Sequence, residues 1–226
     1  MIDPLSDAKI IDSWLHNVAP WTAAVRNEEI ESRRLVTNRA IIDAVLSRSP
    51  ASVLDIGCGE GWLVRAMAAH GVRGTGVDVV PALIDEARRT GGGDFHVMSY
   101  EDIAAGSLHL TADAVIANFA LIGERSVSSL LRITPTLLNP KGVVIVQTVH
   151  PLVGSGDQPY VDGWRAGSWA GFSSEFADPA PWYFRTMESW VKLIVDSGLR
   201  LLEIREPLHP VTQKPASAIF IADGSG

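Results

Sequence analysis

Cysteine is nearly absent: Cys58 stands alone in 226 residues. One thiol makes neither an internal disulfide nor a cysteine-built zinc cluster, and no spacing of His, Asp or Glu suggests a catalytic metal. No apolar run approaches the ~20 residues that a bilayer-spanning helix requires. The opening Met1-Ile-Asp-Pro-Leu-Ser-Asp7 has no basic start and no apolar core, so no secretory leader is read there and a soluble, cytoplasmic protein is expected. Basic charge is also short, with 19 Lys and Arg against 26 Asp and Glu and a net charge of −7. Nucleic-acid modifiers present a basic stripe to phosphates. Here Arg26, Arg33, Arg34 and Arg39 cluster, but Glu28, Glu29 and Glu31 are mixed among them, which reads as a solvated helix face with ion pairs or, second, as a local basic site for an acidic small molecule. Repeats and low-complexity tracts are lacking. What remains, 46% hydrophobic and 20% charged, describes one ordinary globular domain with additions.

The chain is organised around Val53-Leu-Asp-Ile-Gly-Cys-Gly-Glu-Gly-Trp-Leu-Val-Arg65. An apolar run broken by Asp55 is followed by Gly57, Gly59 and Gly61, then by Leu63, Val64, Met67 and Ala68 at helical spacing. The pattern predicts strand, glycine turn and helix. Glycines allow the sharp turn and let a ligand lie against bare backbone, beside the positive end of the helix. A dinucleotide fingerprint, G-x-G-x-x-G/A, would need a small residue where Trp62 stands, which argues against a nicotinamide dehydrogenase. Asp55, ahead of the glycines, suits a cationic ligand better than a pyrophosphate. S-adenosylmethionine, with its ammonium, carboxylate and sulfonium, fits. Cys58 reads as a small residue beneath that ligand rather than as a catalytic thiol.

Gly74-Thr-Gly-Val-Asp-Val-Val80 predicts the next strand. Asp78 falls at its end, where a carboxylate accepts hydrogen bonds from both ribose hydroxyls. Later strands are predicted over 94–98, 111–117, 143–148, 199–206 and 216–222, with helices over 81–90, 125–138 and from Thr186 to Gly198. The link between the last two strands, 207–215, is too short for a helical crossover, so they pair antiparallel. Ligands of an open α/β sheet bind beyond the carboxyl ends of its strands. That puts Asn118 and Phe119 beside the methionine portion of the cofactor, and His150 on the same face. A histidine there is either a general base for the acceptor or a residue that fixes its loop.

The motifs Leu54-Asp-Ile-Gly-Cys-Gly-Glu-Gly61 and Gly76-Val-Asp78 resemble those of the class I S-adenosylmethionine-dependent methyltransferases. The wording Trp21, Val25-Arg26 and 30–37 is similar to a bacterial branch that acts on small molecules. The resemblance implies an α/β, Rossmann-like fold: a seven-stranded, mostly parallel sheet with a reversed last strand, helices on both faces and an N-terminal helical cap. It implies S-adenosylmethionine as cofactor, with S-adenosylhomocysteine as product, and cofactor contacts from Asp55, Gly57, Cys58, Gly59, Gly61, Trp62, Asp78, Val79, Asn118 and Phe119. The family's adenine contacts map to Ser99, Tyr100 and Glu101. Position 118 does not read Asn-Pro-Pro-Tyr, so base methylation is disfavoured and a small organic acceptor, acidic or aromatic, is expected.

The predicted division is 1–50 helical cap, 51–150 cofactor core, 151–185 lid or pocket insertion, and 186–226 C-terminal helix and antiparallel strand pair. In the cap, Trp14 and Trp21 read either as core or, with Asn17, as walls of a substrate pocket implied by the resemblance. One long helix is expected over about 28–48. The aromatic stretch 153–183 has no period and reads as a lid, with a dimer-forming hairpin as the rival, so a monomer or a homodimer is expected. Tyr183 and Arg185 at its end are candidate substrate contacts; Arg185 either anchors a substrate carboxylate or pairs with a local acid. A non-catalytic sensor of S-adenosylmethionine or S-adenosylhomocysteine, or a partner subunit, is the alternative to an enzyme.

Overall fold

The structure, a computed structural model, describes residues 2–224. Seven strands form one sheet: β1 Ser52–Ile56, β2 Arg73–Asp78, β3 Asp94–Val97, β4 Ala112–Asn118, β5 Leu138–Val149, β8 Arg200–Arg205 and β9 Ser217–Asp223. Their order is β3-β2-β1-β4-β5-β9-β8. Strand β9 runs antiparallel to both neighbours, β5 and β8, while β1 to β5 pair in parallel. The Rossmann-like architecture with a reversed last strand is therefore as expected, and the reversed strand lies one place inside the edge.

Alternation along the strands sorts the core into two layers, because successive side chains leave opposite faces. Leu54, Ile56, Val115, Val144 and Phe220 pack with Ile103 of α6 (Tyr100–Ala104), Leu130 and Leu131 of α7 (Arg125–Ile133) and Trp190 of α9 (Met187–Asp196). Val53, Ala114, Ile116, Ile145 and Ile219 pack instead with Ile41 and Val45 of α3 (Asn38–Leu46) and with Leu63 and Met67 of α4 (Trp62–Ala69). Helix α5, Pro81–Thr90, opens on a proline in its first turn and buries Leu83, Ile84 and Ala87; proline loses nothing there, since that N–H has no helical partner anyway.

Three local expectations change. The long helix expected over 28–48 runs without a gap over 31–46 and carries a π-helical turn, Arg33–Thr37, ahead of α3. Pro20 sits inside α2 (Val18–Arg26), and the break from α1 (Asp7–His16) falls at Asn17 instead. The stretch 153–183 is framed by a two-stranded ribbon, β6 Gly163–Arg165 against β7 Trp182–Phe184, after a short helix, α8 Pro151–Gly154. No helix among the described residues is long and apolar enough to cross a membrane.

Candidate active site

The glycine turn hangs from β2. The N–H groups of Gly57 and Cys58 both donate to the Val77 carbonyl, at 2.8 and 3.0 Å. Asp78 completes the turn: its Oδ2 accepts from Gly59 N–H and its Oδ1 from Val80 N–H, each at 2.9 Å. Gly57 has φ +75°, and a Cβ there would stand 2.4 Å from the Ala120 Cβ. Only glycine takes that conformation and that approach together. Beyond the turn lies a cavity of about 340 Å³ lined by Gly57, Cys58, Gly59, Trp62, Asp78, Val79, Tyr100, Glu101, Asn118 and Phe119. Ten of the predicted cofactor positions thus face one space at the carboxyl ends of β1, β2 and β4.

Asp55 and Gly61 stand just behind that lining. Asp55 is buried, and its Oδ1 has no hydrogen-bond partner. Burial first, then the nearby Asp78 charge, pushes its pKa up to about 7, with Arg33 pulling the other way. Gly61, φ +84°, is the N-cap of α4, where a Cβ would meet the Phe95 ring at 2.7 Å.

The helical cap closes the cavity from above. Trp14 and Trp21 line it and meet edge to face at 4.9 Å. Arg33 also lines it, although a solvated helix face was expected for this arginine. Its guanidinium sits 4.8 Å from the Trp62 ring centroid and 5.6 Å from that of Trp21. Its Nε donates to Asn38 Oδ1 at 3.1 Å, and one terminal nitrogen, Nη2, is buried without a partner. Burial lowers its pKa to about 10. The π-helical turn explains the discrepancy: an i+5 turn rotates the residues it contains off the 3.6-residue stripe. Arg26, by contrast, is an ion-pair residue, bonded to Glu60 at 3.2 Å and Glu86 at 3.1 Å, and so clips α2 to the glycine turn.

A second cavity of about 270 Å³ adjoins the first, and Trp14, Phe119, Ile122 and Val149 line both. Its other walls include Trp169, Trp182, Tyr183, Phe184 and Arg185, so strand β7 of the ribbon forms one side. Phe119, at the junction, has φ 54°. A bulky residue in the left-handed region is strained by ~1–3 kcal/mol and is held only by its surroundings, here by an N–H bond to the Gln147 carbonyl at 2.8 Å.

Three expected site residues are placed elsewhere. Ser99 caps α6 in a reciprocal capping box with Asp102 and lines neither cavity; its hydroxyl is committed to the helix end. Asn17 is wholly buried, and its amide bonds Ser13 and Ala177 rather than facing a cavity. His150 lines neither cavity; its Nδ1 accepts from Leu152 N–H at 3.2 Å and its Nε2 lies 2.7 Å from Glu206 Oε1. Both ring nitrogens are thus engaged within the fold. Sequence reasoning missed Arg33 and Ile122 in the first cavity, whereas Phe172 there and Trp169 and Trp182 in the second belong to the aromatic stretch read as a lid; for Arg33, its place between Ile30 and Val36 was the one available signal.

A glycine turn, a strand-end acid and an adjoining second cavity on a Rossmann-like sheet define an enzyme of the nucleotide-cofactor class. The model of the methyltransferase-domain family matches residues 30–204, and the chain belongs to that family. Relatives named ubiquinone biosynthesis O-methyltransferase, from Xanthomonas oryzae pv. oryzae and Xylella fastidiosa, are 33% and 34% identical over 114 and 110 residues. Those matches cover 48% and 46% of this chain, and 47% and 44% of the relatives; the chain thus spans about half the length of the curated relatives it matches. Among solved structures, an S-adenosylmethionine-dependent methyltransferase from Clostridium acetobutylicum superposes with a TM-score of 0.67 at 12% identity, over 92% of this chain and 98% of that one. Another, from Mesorhizobium loti, gives 0.61 at 20%, over 81% and 95%. At such identities the likeness is one of fold.

Proposed function

We propose that this chain transfers a methyl group from S-adenosylmethionine to a small organic acceptor, the cofactor in the first cavity and the acceptor in the second. One observation carries the reading. Around the first cavity, Asp55 Oδ1, Asn118 Oδ1 and Arg33 Nη2 are buried and unpartnered. Buried polar groups are rarely left so, and a ligand bearing both an ammonium and a carboxylate satisfies acceptors and donor together. S-adenosylmethionine is such a ligand and is the cofactor of this enzyme. Asp55 and Asn118 take its ammonium, Arg33 its carboxylate, and Asp78 the ribose hydroxyls. Tyr100 and Glu101 flank the adenine.

When bound, S-adenosylmethionine would supply an electrophilic methyl on a sulfonium that keeps the C–S bonding pair on leaving, and a hydroxyl acceptor would give up its proton to solvent. The chain's own part is alignment and dryness, the main demands of such a displacement. Phe119, shared by both cavities, sets the angle between them, and the aromatic walls exclude water. The names of the Xanthomonas and Xylella relatives support a hydroxyl oxygen as acceptor. In this reading 1–50 cap the donor, 51–150 hold it, 151–185 wall the acceptor and 186–226 close the sheet of one catalytic unit. We place it in the cytoplasm, as a monomer or homodimer, acting on no nucleic acid.

The test is a thermal-shift titration with S-adenosylmethionine, S-adenosylhomocysteine and NAD in parallel, since a ligand that prefers the folded chain raises its melting temperature. A rise with the first two alone is expected. No rise with either, on folded protein, removes the cofactor assignment.

A further inference from the structure

We infer that the acceptor is a carboxylate on a flat apolar body, anchored by Arg185 in the second cavity; this rests on the assignment of that cavity to the acceptor. Arg185 follows β7 and is 5% exposed. Its Nη2 donates to the Glu124 carbonyl at 3.0 Å, while its Nη1 is buried with no partner. The guanidinium lies 4.8 Å from the Tyr183 ring centroid and 5.1 Å from that of Trp190. Two aromatic rings hold the cation in place, yet they do not occupy its hydrogen-bond donors.

No acid of the described residues completes it. The carboxylates whose charge it senses are Asp162, Asp7 and Glu124, and each is engaged elsewhere. Asp162 Oδ1 accepts from Thr186 N–H at 2.8 Å. Asp7 accepts from the N–H groups of Glu124, Arg125 and Ser126, at 2.8 to 3.1 Å, and so caps α7. Glu124 Oε2 accepts from the Trp164 indole at 3.3 Å. The nearby Arg165 provides the contrast. It too is buried over aromatic rings, but its Nη1 and Nη2 donate to the carbonyls of Ser155 and Pro159, at 3.0 and 2.8 Å. Arg165 is therefore structural, whereas Arg185 lines a cavity with a donor to spare.

A buried charge without a partner is costly. A carboxylate entering the cavity relieves that cost, and the fixed guanidinium fork suits its planar oxygens. The remaining walls, Trp14, Phe119, Trp169, Trp182 and Tyr183, are flat and apolar and favour an aromatic body. The second cavity is thus built for an aromatic acid, its nucleophilic atom turned toward Phe119 and the donor.

The experiment is calorimetry on the chain saturated with S-adenosylhomocysteine. The probes are hydroxybenzoates, hydroxycinnamates and hydroxyphenylacetates, each paired with its neutral amide. At least one acid is expected to bind about tenfold or more tightly than its amide. Arg185→Met is expected to abolish that preference, and Arg185→Lys to restore part of it, with S-adenosylhomocysteine affinity unchanged in both. If every acid and amide bind alike to the wild-type chain, or if the preference survives in Arg185→Met, the inference is overturned. The wild-type comparison decides the matter even if Arg185→Met fails to fold. Failure of S-adenosylhomocysteine itself to bind would instead strike the cofactor assignment.

Discussion

Asn17 and Ala177 hold one another by reciprocal hydrogen bonds: the side-chain Nδ2 donates to the Ala177 carbonyl at 2.7 Å, and the side-chain Oδ1 accepts the Ala177 N–H at 2.9 Å. An amide that reads a backbone from both sides replaces the strand pairing that this segment lacks. Around it, Ser13 donates to the Asp178 carbonyl, the Trp169 indole donates to the Ala177 carbonyl at 2.9 Å, and Lys9 pairs with Asp178. The insertion is thereby latched to the end of α1.

Replacing the latch tests what it does. Asn17→Ala leaves the Ala177 N–H unpaired, while the Ala177 carbonyl keeps the Trp169 indole, at a cost of ~1–3 kcal/mol. Hydrogen exchange should quicken over 166–181 while β1, β4 and β5 keep their protection, because local opening follows local contacts. The KM for the acceptor should rise more than the affinity for S-adenosylmethionine falls. Unchanged exchange over 166–181 would show that the latch does not hold the segment.

The two ends of the cofactor are separable. Asp78→Ala should weaken S-adenosylhomocysteine and 5′-methylthioadenosine alike, by roughly 1.5–3 kcal/mol, since both carry the ribose. Arg33→Met should weaken S-adenosylhomocysteine and leave 5′-methylthioadenosine, which has no carboxylate, nearly untouched. Calorimetry on the four combinations checks this, and equal losses for both ligands in Arg33→Met would remove Arg33 from the carboxylate.

Much of this site is legible in the amino-acid sequence. The turn glycines, Asp55 and Asp78 can be read because a tight turn and a strand-end acid are local features, set by a few adjacent residues. Apolar runs and turn residues place the strands in the same way. Arg33 cannot be read so, because a π-helical turn leaves the charge pattern intact while changing the face that each residue occupies. Asn17 stands out beside Trp14 and Trp21, but its partner is 160 residues away, and no periodicity reports such a contact. His150 is conspicuous for its place at a strand end; whether its ring nitrogens are free depends on Glu206, in the link before the last strand.

His150→Ala therefore separates a fixed loop from a catalytic base. With Nδ1 accepting from Leu152 and Nε2 facing Glu206, the ring joins the end of β5 to the link after β8. Its loss should cost about 1–2 kcal/mol of stability through broken hydrogen bonds. Turnover should stay within a few-fold of wild type, with an unaltered pH profile. A loss of ~100-fold or more, the scale of general-base catalysis, would assign the base role to His150.

The buried Asp55 carries a pH signature of the ligand-free fold. Burial, seconded by the Asp78 charge, raises its pKa from the ordinary value of 3.8 to about 7. Between those values the folded chain keeps a proton that the unfolded chain has released, so stability is fully present at the acid end and declines as pH rises toward 7. Three pH units at ~1.4 kcal/mol each put the ceiling of that decline on the order of 4 kcal/mol. Asp78, raised by its own burial, adds a decline of the same sign. Asp12, Asp102, Asp113 and Glu203, held below the usual carboxylate range by hydrogen bonds, act only at lower pH. Urea unfolding at pH 5, 6 and 7.5 should show the decline in the wild-type chain and the larger part of it gone in Asp55→Asn, which removes both a buried acid and the charge that opposes Asp78. A donor ammonium beside Asp55 favours its charged form, so saturating S-adenosylhomocysteine should flatten the wild-type decline and change the variant far less. A decline that persists undiminished in Asp55→Asn would place its origin in another group.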